Sequence, residues 1–188
     1  ALHYGESLAA VPVIRTVLDA LQTAQNVFTR RDVLALLKSP YTAFNGLDAL
    51  AVAHLEAVSL RGVVVRGRDQ WLEALRLAVS PVPNDDDAEN PTALFTEDTR
   101  AALESALTAF FDALTPPTDA HPLPRFVEWL ENLIALESPD GGVPHSLNIY
   151  AQARAGGDDA LQSRDLQALE AFRRLLQGML KTQKLVQD

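Results

Sequence analysis

Apolar residues along this chain recur at three- and four-residue spacing, and Pro, Gly or Asn-Gly punctuation cuts each run before it grows long. That pattern admits several short amphipathic helices and little else. Period-two alternation, the mark of half-buried strands, is almost absent. The apolar residues, 47% of the chain, are mainly Ala, Leu and Val, which suits helix packing. The expectation is an all-α, irregular helical domain, with room for one minor β-hairpin at 63–65 between Gly62 and Gly67.

Start and stop signals set the elements. A helix is expected over 8–25, with Pro12 in its first turn and Ile14, Val17, Leu18 and Leu21 as its stripe. Thr29 caps a second, short helix that buries Val33, Leu34, Leu36 and Leu37 and stops at Pro40. A third is expected over 47–60. Asp69 caps a fourth, carrying Trp71, Leu72, Leu75 and Leu77. Thr96 caps a long helix reaching Leu114, and Pro122 or Pro124 opens one running to Leu136. A helical turn is expected over 148–155. The last helix starts at Ser163 and buries Leu166, Leu169, Phe172, Leu175, Leu176 and Met179.

Three regions follow: a helical subdomain over 1–80, an acidic proline-bearing loop over 81–96, and a helical continuation of the same domain over 97–188. The loop reads as a solvated connector, or as an acidic strip that mimics phosphate and covers a basic groove. The chain begins without Met and in mid-pattern, as expected for a piece of a longer polypeptide.

Charge is unevenly placed. Residues 1–80 hold eight Lys/Arg and seven Asp/Glu, while 81–188 hold eight Lys/Arg and eighteen Asp/Glu. Phosphate contacts need cations, so any nucleic-acid surface is expected in the first half. With no cysteine, a disulfide framework, a thiolate metal site and a cysteine nucleophile are excluded. No apolar run is long enough to span a membrane. A cytoplasmic protein is expected.

Catalytic motifs are sparse. The chain has no phosphate-binding Gly-x-x-x-x-Gly-Lys-Ser/Thr loop and no Gly-x-Ser-x-Gly elbow. A magnesium nuclease needs paired carboxylates with a nearby lysine. Asp85-Asp86-Asp87, Glu97-Asp98, Asp140 and Asp158-Asp159 are the acidic candidates, and each reads better as a loop, turn or helix-start group. His3, His54, His121 and His145 share no metal-ligand spacing. No catalytic residue, cofactor or metal is expected, and neither ATPase nor nuclease activity. Tyr41 fits either a base-stacking platform or an anchor packing the helix stop; Trp71 reads as core.

One cluster fits binding. Arg61, Arg66 and Arg68 surround two glycines, with Arg30, Arg31 and Lys38 upstream. Arginine forks match phosphate oxygens, and glycines allow close backbone approach. These six are the candidate DNA contacts; ordinary solvated cations are the alternative.

Several local motifs in 1–80 resemble a known family. They are Ser7-Leu8-Ala9-Ala10-Val11-Pro12, Arg30-Arg31-Asp32-Val33-Leu34, Ser39-Pro40-Tyr41, Leu60-Arg61-Gly62-Val63 and Gln70-Trp71-Leu72. In this order they resemble the accessory-domain region of the B subunit of AddAB/RexAB-type ATP-dependent helicase–nucleases, relatives of the UvrD/Rep helicases. The resemblance implies a non-catalytic helical domain, inserted in a degenerate motor, with scaffold and DNA-guiding roles in double-strand break repair. Its implied partners are the motor and nuclease domains of the parent chain, a partner helicase–nuclease subunit, and DNA bound weakly. The acidic second half maps onto nothing in the family. A free-standing helical protein–protein interaction module with no nucleic-acid role is the competing expectation.

Overall fold

The computed structural model describes residues 7–79, 94–117 and 123–187. Among them a 3₁₀ turn, Leu8–Ala10, leads into eight α-helices, and there is no strand. Most of the loop expected at 81–96, and the groups at His3, Asp85–Asp87, His121 and Pro122, lie outside the described residues.

α1 (Pro12–Gln25) begins with its proline, whose missing N–H costs nothing there. It buries Val13, Ile14, Val17 and Ala20. α2 (Arg30–Leu37) is capped by Thr29, whose side-chain oxygen accepts from the Asp32 amide at 3.3 Å. Pro40 forbids another turn, and the Thr42 hydroxyl donates to the freed Leu36 carbonyl at 2.6 Å. α3 (Ala49–Arg61) is capped by Asp48, which accepts from the Ala51 amide at 2.8 Å. α4 (Arg68–Ala78) follows Gly67, whose φ of 93° suits glycine. Gly62 lets α4 close on α3: a Cβ there would lie 2.4 Å from the Cβ of Ala74.

α5 (Glu97–Leu114) buries Leu107, Phe110, Phe111 and Leu114. Thr96 caps it and Glu97 and Asp98 occupy its first turn, where the helix dipole favours acids. α6 (Leu123–Ile134) is held to α5 by the Trp129 indole N–H, which donates to the Ala113 carbonyl at 3.0 Å. α7 (Ile149–Ala155) starts at Asn148, whose side-chain amide donates to the Ala43 carbonyl at 3.0 Å. α8 (Asp159–Gln187) completes the fold. Buried residues from both halves, Val11 through Leu176, form one hydrophobic cluster.

Several details differ from expectation. Residues 63–65 form no hairpin: Val64 turns into the core while Val63 and Val65 face solvent, on the turn between α3 and α4. The N-cap of α4 is Gly67, not Asp69, which sits in the first turn. α8 begins four residues before Ser163, because Asp158 accepts from the amides of Ala160 and Leu161. Leu18, Leu77, Leu175 and Met179 are exposed. Their spacing puts them on sides of their helices that no neighbouring element covers among the described residues.

Three helices end with an unusual residue. After α1, α3 and α6 the amides of Phe28, Val64 and Leu136 reach back five residues, to the carbonyls of Thr23, Ser59 and Glu131. This Schellman-type closure needs a left-handed residue, usually glycine. Here the positions hold Val27, Val63 and Ala135, at φ 57°, 50° and 59°. A left-handed conformation costs a non-glycine residue on the order of 1–2 kcal/mol.

Candidate nucleic-acid interface

The six candidate cations do not form one free patch. Arg30, first in α2, donates through Nε to the buried Ser59 hydroxyl at 2.9 Å. Lys38 pairs with Glu56 at 2.7 Å, and that hydrogen bond holds the Glu56 carboxyl below its ordinary range. Arg61, at the end of α3, is half-buried and partnered.

Arg68 is committed to the fold. Nη1 donates to Asp112 at 2.6 Å, and Nη2 to the Phe111 carbonyl at 2.7 Å and to the Thr115 hydroxyl. Its guanidinium also lies over the Phe28 and Phe111 rings, at 5.1 and 5.7 Å from their centroids. A cation at a helix C-terminus is favoured by the dipole and satisfies a carbonyl left over at that end. Arg68 thereby clamps the C-terminal end of α5.

Arg31 and Arg66 are exposed. Two backbone hydrogen bonds tie their loops together: Gly67 N–H to the Val27 carbonyl at 2.8 Å, and Arg30 N–H to the Val65 carbonyl at 3.0 Å. Gln70 Oε1 fixes the Arg66 turn by accepting from the amides of Val65 and Arg66, at 2.9 and 3.1 Å. Trp71, buried below, donates its indole N–H to the Phe28 carbonyl at 3.0 Å. The result is a hydrogen-bonded ridge carrying two arginines and three exposed valines, Val27, Val63 and Val65, at 53%, 76% and 63% exposure. Two of those valines occupy the left-handed positions described above. Strained residues persist only where the surroundings over-determine them, as this hydrogen-bond set does.

Tyr41 acts as an anchor. Its hydroxyl donates to Asp165 of α8 at 2.6 Å, and Arg164 Nη2 donates to the other carboxylate oxygen at 3.0 Å. Burial, with the adjacent carboxylate, pushes the Tyr41 phenol up to about 12. The His54 ring lies tilted against Phe95, with 5.4 Å between centroids. Asp140 lies 3.5 Å from Arg154. Among the described residues no group of three His, Asp or Glu side chains is gathered as a metal site. No described helix is long and apolar enough to cross a membrane.

No protein-family model, curated protein or solved structure matches the chain.

Proposed function

We propose that this chain is a non-catalytic helical accessory domain of a helicase–nuclease subunit in double-strand break repair, serving as scaffold and guiding DNA. One observation carries the reading: the residues of the family-like motifs build the fold and present a basic ridge. Tyr41 ties the Ser-Pro-Tyr stop to α8. Gly62 allows α3 and α4 to close. Gln70 and Trp71 fix the loops that display Arg31 and Arg66. Such a ridge offers phosphate two charged forks on a backbone that needs no reordering.

The partners on this reading are the motor and nuclease domains of the same polypeptide, a second helicase–nuclease subunit, and DNA. A second reading, a protein–protein interaction module with no nucleic-acid role, draws on the exposed Val27, Val63 and Val65 beside the arginines.

The reading frame distinguishes the two. The first expects the frame encoding these residues to continue into helicase-motor and nuclease motifs. A frame with neither motif contradicts it.

A further inference from the structure

α8 meets different surroundings along its length. Asp165, Ala168 and Leu169 are buried, and this helix packs on α1, α6 and α7. Steps of seven and then four residues lead from Ala168 to Leu175 and Met179, along one side of the helix. There the cover ends, and both side chains are more than half exposed, at 58% and 52%. An adjoining side is tied to α6 and the turn after it: Arg173 donates to Glu137 in that turn at 3.2 Å, and Gln177 to Glu131 of α6 at 3.1 Å. A groove of about 690 Å³ remains, lined by Leu123, Leu175, Gly178, Met179 and Thr182, with Arg174 beside them. The space over Gly178 is open among the described residues: a Cβ there would meet nothing within 4 Å.

The charge along this stretch of α8 is the reverse of the chain's. Residues 173–187 hold four basic residues and no acidic one, although the chain carries a net charge of −9. Arg174 and Lys181 are exposed.

We propose that this groove docks an acidic amphipathic helix of a protein partner. Apolar side chains at i, i+4 and i+7 of that helix seat on Leu175, Gly178 and Met179, and its flanking carboxylates meet Arg174 and Lys181. A second copy laid on the same face would set one basic rim against another. A nucleic acid would leave Leu175 and Met179 without apolar cover. The inference stands independently of the helicase reading.

The test is calorimetric titration of the full chain with a helical peptide carrying leucines at i, i+4 and i+7 flanked by glutamates. The same peptide with lysines in place of the glutamates, and phosphatidylserine-containing vesicles, serve as comparisons. The expected result is binding of the glutamate peptide and not of the lysine peptide. A Leu175→Ser/Met179→Ser variant should weaken it about tenfold or more, with an unchanged thermal midpoint because both residues are exposed. Arg174→Glu/Lys181→Glu should move the preference toward the lysine peptide. Absence of glutamate-peptide binding, equal binding of both peptides, binding to vesicles alone, or variants that bind as the parent does would each overturn the proposal.

Discussion

Tyr41 and Asp165 lie 124 residues apart in sequence and share a 2.6 Å hydrogen bond that fastens the stop of α2 to α8. Asp165 is buried, and the phenol is what lets its carboxylate sit there together with Arg164. A buried carboxylate that loses a donor bears its desolvation cost with less compensation. Tyr41→Phe is therefore expected to destabilise the fold by about 1.5–3 kcal/mol, measured by urea unfolding at neutral pH.

The same pair sets a pH dependence. The Tyr41 phenol titrates at about 12 in the fold against an ordinary value of 10.0, because burial and then Asp165 disfavour the phenolate. A folded-state value above the unfolded one gives stability that is complete below pH 10 and lost as pH rises toward 12. The stability gap between the parent chain and Tyr41→Phe should shrink across that window. A gap that stays constant from pH 9 to 12, as read by unfolding at each pH, would contradict the assignment.

Trp71 is fully buried and its indole N–H is spent on the Phe28 carbonyl. Trp71→Ala should cost about 3–5 kcal/mol. Gly62→Ala should also destabilise, because its new methyl meets Ala74 on α4. Ala74→Gly in the same chain should return part of that loss. Thermal unfolding of the single and double variants reads the coupling; simple additivity would mean the two positions do not touch.

Val63 closes α3 in a left-handed conformation with its side chain in solvent. Val63→Gly removes that strain and gives up almost no burial. The expected outcome is a gain of about 1 kcal/mol. A destabilised variant would show that the valine side chain supports the ridge.

Arg68→Lys keeps the charge but loses the fork that spans Asp112, Phe111 and Thr115. It should lower stability by about 1–2 kcal/mol and leave any DNA affinity unchanged. A variant as stable as the parent but weaker on DNA would return Arg68 to the interface.

What the sequence reveals here is what is local. Thr29 and Thr96 as caps, Pro40 as a stop and Trp71 as core all follow from neighbours within a turn or two. Asp158 as the cap of α8 is equally local, but the acidic pair after two glycines reads as easily as a turn. Arg68 could not be placed this way, because Phe28, Phe111 and Asp112 reach it only through the packing of α1 and α5. Periodicity names a side of a helix without saying whether another element covers it. Val17 and Leu18 belong to one expected stripe, yet the first is buried and the second exposed. The closures at Val27 and Val63 lack the glycine that usually announces them.

On the proposed reading Arg31 and Arg66, displayed on the ridge between α2 and α4, are the phosphate contacts. This claim is tested most directly by titrating a fluorescent DNA duplex with the purified chain across a series of salt concentrations. The expected dissociation constant lies in the roughly 10⁻⁴–10⁻⁶ M range of non-specific binding and rises steeply with salt. Arg31→Ala/Arg66→Ala should reduce the salt slope by roughly one unit per lost contact. No binding at low salt, or a double variant with the parent's affinity and slope, would contradict the claim.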